Sequence, residues 1–179
     1  MNRLVAVTQT TDIFRHYRNT PVQTLFEYHN LNKEFDTYLD AQILIGMCMD
    51  NRKSLNIPVN FAYIIRTGGA NIQDRDFNIS YAIAIGKIRY IVLIGHNNCG
   101  MVGLNSRKEA FVEGMIEGAG WTRNKAEEHF TQLAPVSEIG NEVDFTLNQV
   151  KRLRNMYPKI TVAPLLYKVE DGRLYLISE

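Results

Sequence analysis

The sequence predicts an α/β fold: a mostly parallel central sheet, about four parallel strands plus an antiparallel C-terminal edge strand, flanked by helices and preceded by an N-terminal helical arm. Three observations predict it. The runs Ile43-Leu44-Ile45-Gly46-Met47 and Tyr90-Ile91-Val92-Leu93-Ile94-Gly95 are short, β-branched and apolar throughout, the pattern of strands buried on both faces. A helical stretch separates a further apolar run from the second of these, and strand, helix, strand at that spacing implies a right-handed crossover and a parallel pair. The tail, Leu166 to Ser178, reads as a hairpin turning at Glu170-Asp171-Gly172-Arg173.

Taken in order, residues Thr11 to Leu39 are polar-rich with spaced aromatics: Phe14, Tyr17, Phe26, Tyr28, Phe35 and Tyr38. They predict two helices interrupted near Asn19-Thr20-Pro21, where the proline suits a first helical position. Such an arm could cover the domain or reach a partner subunit. The first strand runs from Ile43 to about Met49, and Lys53 to Asn60, which contains Pro58, reads as a loop or short helical turn. Phe61 to Arg66 is a second strand, ending in Thr67-Gly68-Gly69-Ala70-Asn71, whose glycines permit unusual backbone angles. A helix follows over Asn78 to Ile88, with Ile79, Ala82, Ile83 and Gly86 on one face and Asn78 or Asp76 as its cap. Tyr90 to Ile94 is the third strand. Met101 to Phe130 has a helical pattern broken at Gly118-Ala119-Gly120. Asn141 to Met156 is a helix with Val143, Leu147, Val150 and Leu153 on one face, stopped by Pro158. Ile160-Thr161-Val162-Ala163 gives the fourth strand.

The 179 residues, 45% hydrophobic, suit one domain over 1–179, divided into an arm (1–40) and an α/β core (41–179). A net charge of +1 offers no electrostatic basis for binding nucleic acid or a membrane surface. The run Lys151-Arg152-Leu153-Arg154 reads as a solvated helix face. No secretory pattern opens the chain and no apolar run approaches spanning length, so the expected location is the cytoplasm. With two cysteines in a reducing compartment, a disulfide scaffold is not expected.

Both apolar runs end in a cluster of chemically capable residues: Cys48-Met49-Asp50-Asn51-Arg52 after the first, His96-Asn97-Asn98-Cys99-Gly100 after the second. In extended chain, alternation would turn Cys48, Asp50 and Arg52 the same way. Ligands in open parallel sheets bind beyond the carboxyl ends of the strands, where Cys48, the Gly68-Gly69 loop and His96 to Cys99 all fall. Two thiols and an imidazole are a zinc ligand set with a fourth position open. Two ordinary buried thiols, or a disulfide, are the competing readings. Asp50 and Arg52 can form a charged pair beside a metal or an ordinary surface ion pair. His16, His29 and His129 lie in polar helical contexts and read as surface residues; Trp121 and the aromatics of the arm read as packing.

With its Cys48-Met49-Asp50-Asn51-Arg52, Tyr63-Ile64-Ile65-Arg66-Thr67-Gly68-Gly69 and Gly95-His96-Asn97-Asn98-Cys99-Gly100-Met101 segments, the chain resembles the β-class carbonic anhydrases from about Ile43 to Leu104. The resemblance implies zinc held by Cys48, His96 and Cys99, with Asp50 and Arg52 as a catalytic dyad. It implies that Asp50 either orients the zinc-bound water or, in a closed form, becomes a fourth ligand. It also implies a homodimer or multiple of dimers, with N-terminal helices crossing to the partner. Three positions depart from the family's usual residues: Asn51 for Ser, Asn98 for Asp, and Arg-Thr-Gly-Gly for Arg-Asn-Ala-Gly. Leu44-Ile45-Gly46 stands where some relatives with a closed form carry tryptophan, which argues for an open site.

The expected reaction is reversible hydration of carbon dioxide to bicarbonate and a proton. Zinc lowers the pKa of water from about 15.7 towards neutrality, and Asp50, kept ionised by Arg52, orients the resulting nucleophile. Gly68, Gly69 and Gly100 are candidates to border a substrate pocket. The alternatives are hydrolysis of carbonyl sulfide or carbon disulfide on the same zinc, or a non-catalytic zinc-binding homologue.

Overall fold

The computed structural model describes residues 3–179; Met1 and Asn2 of the predicted arm lie outside the described residues. Six strands form one sheet: β1 (Leu4–Ala6), β2 (Ile43–Cys48), β3 (Ala62–Thr67), β4 (Tyr90–His96), β5 (Thr161–Lys168) and β6 (Arg173–Ile177), in the spatial order β1-β6-β5-β4-β2-β3. The four strands β5, β4, β2 and β3 are mutually parallel, and β6 returns antiparallel to β5. Outside β6 lies β1, pairing Leu4↔Ile177 and Ala6↔Tyr175, so the C-terminal strand has a neighbour on both sides. A three-residue strand is too short to show a period in sequence, and nothing before Thr11 announced it.

Alternation along the buried strands builds two apolar layers. Ile43, Ile45 and Met47, with Val92 and Ile94 and with Ala163 and Leu165, face a layer formed by the N-terminal segment and α1 (Pro21–His29), including Ile13, Tyr17, Leu25, Phe26 and Tyr28. Leu44, Ile91, Leu93 and Val162 face the other way. They meet Ile79 and Ala82 of α2 (Asp76–Ala84) and Val150 and Leu153 of α5 (Glu142–Met156).

Several predicted boundaries move, each for a local reason. Of the two helices expected in the arm, only the second forms, with Thr20 as its cap and Pro21 at its first position. The first is a pair of single 3₁₀ turns at Thr10–Asp12 and Arg15–Tyr17. The arm lies on its own chain, with Tyr17, Phe26 and Tyr28 buried. The second helix begins at Asp76 after Arg75, so neither Asp76 nor Asn78 caps it. The region after Leu104 resolves into α3 (Lys108–Ala119) and α4 (Arg123–Ser137), divided at Gly120 with φ +66°. The strand expected to end at Ala163 runs on through Pro164, which lies one residue before the β5–β6 ladder begins at Leu165. A missing N–H is tolerated where one side of a strand lacks a ladder partner.

Candidate metal centre

Three strands end together. Cys48, Thr67 and His96 are the last residues of β2, β3 and β4. From β2 the chain moves to β3 on one side and later to β4 on the other. The crevice between β2 and β4 is therefore the sheet's switch point, the usual ligand position in such a fold. Gly95 precedes the histidine because α5 crosses there: a Cβ on Gly95 would run into Thr146 Oγ1.

The predicted ligands converge. Cys48, His96 and Cys99 are all buried, and their ligand atoms lie within 4.8 Å of one another. Donors at about 2.0–2.3 Å from one tetrahedral ion stand about 3.5–3.8 Å apart, so small adjustments would seat zinc. His96 Nδ1 lies 2.9 Å from the carbonyl of Asn97, which can only accept, so Nδ1 carries the proton. Nε2 is left with its lone pair, buried and without a hydrogen-bond partner. A buried imidazole nitrogen with no protein partner, beside two thiols, is what a metal ligand looks like before the ion is counted. Cys48 Sγ accepts the Gly69 N–H at 3.3 Å, and the Cys99 N–H donates to Glu142 Oε1 at 3.3 Å. A hydrogen bond from the Cys99 thiol pulls the Cys48 pKa well down against the effect of burial; Cys99, left holding the proton beside a thiolate, is pushed up.

Asp50 and Arg52 also meet, though not by strand alternation. β2 ends at Cys48, residues 51 and 52 turn, and Asp50 Oδ1 accepts the Arg52 main-chain N–H at 2.9 Å, an aspartate turn. The guanidinium returns over the same carboxylate, Nε to Oδ1 at 3.0 Å and Nη2 to Oδ2 at 2.6 Å. These bonds hold the Asp50 carboxyl well below the usual carboxylate range. Asp50 Oδ2 is still 3.9 Å from His96 Nε2, close to the cluster but engaged by Arg52. Arg52 Nη2 donates onward to the Asn98 carbonyl at 2.9 Å. Asn98 has φ +54°, a conformation Asn tolerates better than most residues, and this turn brings Cys99 back toward His96.

Of the glycines expected near the site, Gly69 is required as glycine: its φ is +62°, and a Cβ would meet Ile139 Cγ2 at 2.5 Å. Gly68 lies under Met101, whereas a Cβ on Gly100 would meet open space. Ile139 packs with Cys48 and Cys99 into an apolar wall shared by Met101, Val102 and Phe145.

Two residues escaped the sequence reading. Lys53 is buried, its Nζ 3.3 Å from the Cys48 carbonyl, and burial pushes its pKa down. His29 is half-buried rather than a surface residue. Its Nδ1 accepts the Asn56 N–H at 3.0 Å and its Nε2 lies 3.0 Å from the Gly172 carbonyl, so it bolts the loop after Arg52 to the β5–β6 turn. His29 depends on partners 27 and 143 residues away, and the burial of Lys53, five residues past Cys48, follows from how the loop folds back rather than from any spacing.

The family described as carbonic anhydrase matches residues 43–174. Among curated proteins, "Putative carbonic anhydrase YvdA" of Bacillus subtilis (strain 168) is 22% identical over 197 residues, 99% of this chain and 93% of that protein. Among solved structures, β-carbonic anhydrase isoform I (TvaCA1) from Trichomonas vaginalis is similar with TM-score 0.63 at 19% identity, covering 88% of this chain and 93% of that one. An apo form of carbon disulfide hydrolase is similar with TM-score 0.53 at 21% identity, covering 75% and 77%. At these identities the structural likenesses speak for the fold.

Proposed function

The chain belongs to the β-class carbonic anhydrase family, and on that footing we propose that it catalyses zinc-dependent, reversible hydration of carbon dioxide to bicarbonate and a proton. The observation that carries the reading is the buried Cys48–His96–Cys99 cluster with its free Nε2, beside a carboxylate that Arg52 holds back. Cys48 and Cys99 as thiolates and His96 through Nε2 would hold the ion. Zinc, when bound, supplies the Lewis acidity that makes a water nucleophile available at neutral pH.

The chain's own residues do the rest. Gly69 N–H steadies the Cys48 sulfur, and Glu142 fixes the main chain at Cys99. Asp50, acceptor-only because Arg52 keeps it ionised, takes the hydrogen bond of the attacking water and so aims its lone pair. Ile139, Met101, Val102 and Phe145 provide the apolar wall a nonpolar gas needs, with Gly68 and Gly69 lying beneath Met101 and Gly100 beside the metal loop. Stopped-flow hydration of carbon dioxide, run beside a hydrogen sulfide release assay with carbonyl sulfide and carbon disulfide, tests the reading. Turnover of carbon dioxide is expected. Sulfide release alone would move the substrate to the sulfur analogues, and no turnover by the zinc-loaded protein would leave a binding homologue.

We read residues 1–179 as one domain that works as a homodimer or a multiple of dimers, without nucleic acid or membrane partners, in the cytoplasm. Tyr17, Phe26 and Tyr28 of the arm are buried on their own chain and so do not call for a partner, although Phe35 and Leu39 stay exposed. Support comes instead from the open edge of β3. There Tyr63 and Ile64 adjoin Phe77 and Tyr81 of α2 along a groove of about 240 Å³, and Phe77 is 81% exposed. An unpaired edge beside an exposed apolar stripe is a ready interface. Sedimentation at micromolar concentration should give a dimer or larger; a monomer would overturn this. Among the described residues, no helix is long and apolar enough to cross a membrane.

A further inference from the structure

Main-chain pairing between β4 and β5 ends at His96↔Tyr167. A strand end beyond its last ladder pair tends to fray, which is a poor place to keep a metal-binding imidazole. Here the side chain of the next residue continues the pairing. Asn97 Oδ1 accepts the Val169 N–H at 2.9 Å, and Asn97 Nδ2 donates to Glu170 Oε2 at 2.6 Å. The donor and acceptor on the two partners also fix which end of the amide is which. Both ends of one amide are thus spent on two consecutive residues just past β5. The main-chain carbonyl of that same Asn97 accepts the His96 Nδ1 proton at 2.9 Å. On its far side, the Asn98 carbonyl is held by Arg52 Nη2 at 2.9 Å.

We infer that Asn97, gripped by Val169 and Glu170, is a positioning residue that holds the His96 ring in its metal-binding orientation and tautomer. The inference rests on the metal-centre reading above. If residue 97 rotates, its carbonyl leaves Nδ1, and the proton is free to move to the nitrogen that the metal needs. The side-chain fork prevents that rotation because it anchors residue 97 at two points. Asparagine fits for a definite reason: it offers one acceptor and one donor from a single rigid plane. Aspartate would set a second carboxylate against Glu170, and alanine offers neither end. At position 170 only an acceptor is needed, so glutamine serves there as well as glutamate.

The test uses the full-length chain and reads zinc(II) affinity by competition with a chelator, together with the His96 ring tautomer in the metal-free chain by nitrogen NMR. Asn97→Ala should weaken zinc binding by about 10–100-fold, the range typical of partners that orient a ligand from outside the first shell. It should also convert the single Nδ1-protonated tautomer of the parent to a mixture. Asn97→Asp should do the same. Glu170→Gln should bind zinc like the parent. The double variant Asn97→Asp/Glu170→Gln should recover most of the affinity, because the new amide donates to the new carboxylate with the roles exchanged. Parental zinc affinity in Asn97→Ala, even with a lowered melting temperature, would reduce the clamp to hairpin stability and overturn the inference. So would a double variant no better than Asn97→Asp. If the parent itself binds no zinc, the metal-centre reading fails instead, and the tautomer comparison still decides the positioning role: an unchanged tautomer in Asn97→Ala overturns it.

Discussion

Replacing Arg52 with alanine should leave the fold and the zinc content in place while carbon dioxide hydration falls by on the order of a hundredfold or more, the scale on which a displaced reacting group costs rate. The guanidinium makes three contacts to the Asp50 carboxylate, Nε to both oxygens and Nη2 to Oδ2. The Arg52→Ala chain keeps only the main-chain donor at position 52, which reaches Oδ1. Asp50 Oδ2 is then a released anion 3.9 Å from the ligand nitrogen of His96. Asp50 should turn toward the ligand set and occupy the position a water needs. Restoring that position with Asp50→Ala on top of Arg52→Ala should bring back part of the activity, without the aim that the carboxylate gives. Metal analysis and stopped-flow hydration on the same preparations check it. A zinc-loaded Arg52→Ala chain that hydrates carbon dioxide at the parental rate would remove the dyad from the mechanism.

Replacing Cys99 with serine should cost more in metal than in fold. Cys99 is buried against Ile139 and Met101, and serine is close to it in volume, so the metal-free chain should melt within a few degrees of the parent. A serine hydroxyl, however, does not ionise at neutral pH and makes a poor zinc ligand. Partners outside the ligand shell already cost about 10–100-fold in affinity when removed, so loss of a ligand itself should exceed about a hundredfold. Chelator competition and metal content after dialysis read this directly. Unchanged affinity would take Cys99 out of the ligand set and return it to the ordinary buried thiols.

Much of this site was legible because it is written in strands. The runs at Ile43 and Tyr90 are apolar on both faces, and in the structure β2 is buried at every residue and β4 at all but its first. A strand that must be buried fixes where its end must be, so the clusters that follow Cys48 and His96 could be placed without coordinates. The dyad shows the limit of that logic. Alternation put Asp50 and Arg52 together, yet what unites them is a turn closed by the aspartate's own side chain. What stayed illegible depends on partners far along the chain. Asn97 meets Glu170 across 73 residues, and His29 meets Gly172 across 143. The continuation of β5 through Pro164 follows from where its neighbour's pairing starts, a property of β6 rather than of the proline.

The neck of the α3–α4 pair has a consequence for how this chain can vary. Glu138 receives the N–H groups of Gly103 and Leu104 on its two carboxylate oxygens, at 2.7 and 2.6 Å, and the Ile139 N–H reaches the Met101 carbonyl at 3.2 Å. The polypeptide therefore leaves the loop after Cys99 and returns to it at a single point, and α3 packs mainly on α4. The separation of the two ends is set by the Glu138 carboxylate together with the Ile139–Met101 main-chain bond, both at the neck itself. The α3–α4 pair behaves as a stem-loop rooted beside Cys99. Paired lengthening of both helices would carry the tip, with Trp121 stacked under Lys125, to a new place while Ile139 stays against the two sulfurs. Modularity of this kind lets the surface above the Cys48–His96–Cys99 cluster be redrawn without a single change to the residues that form it.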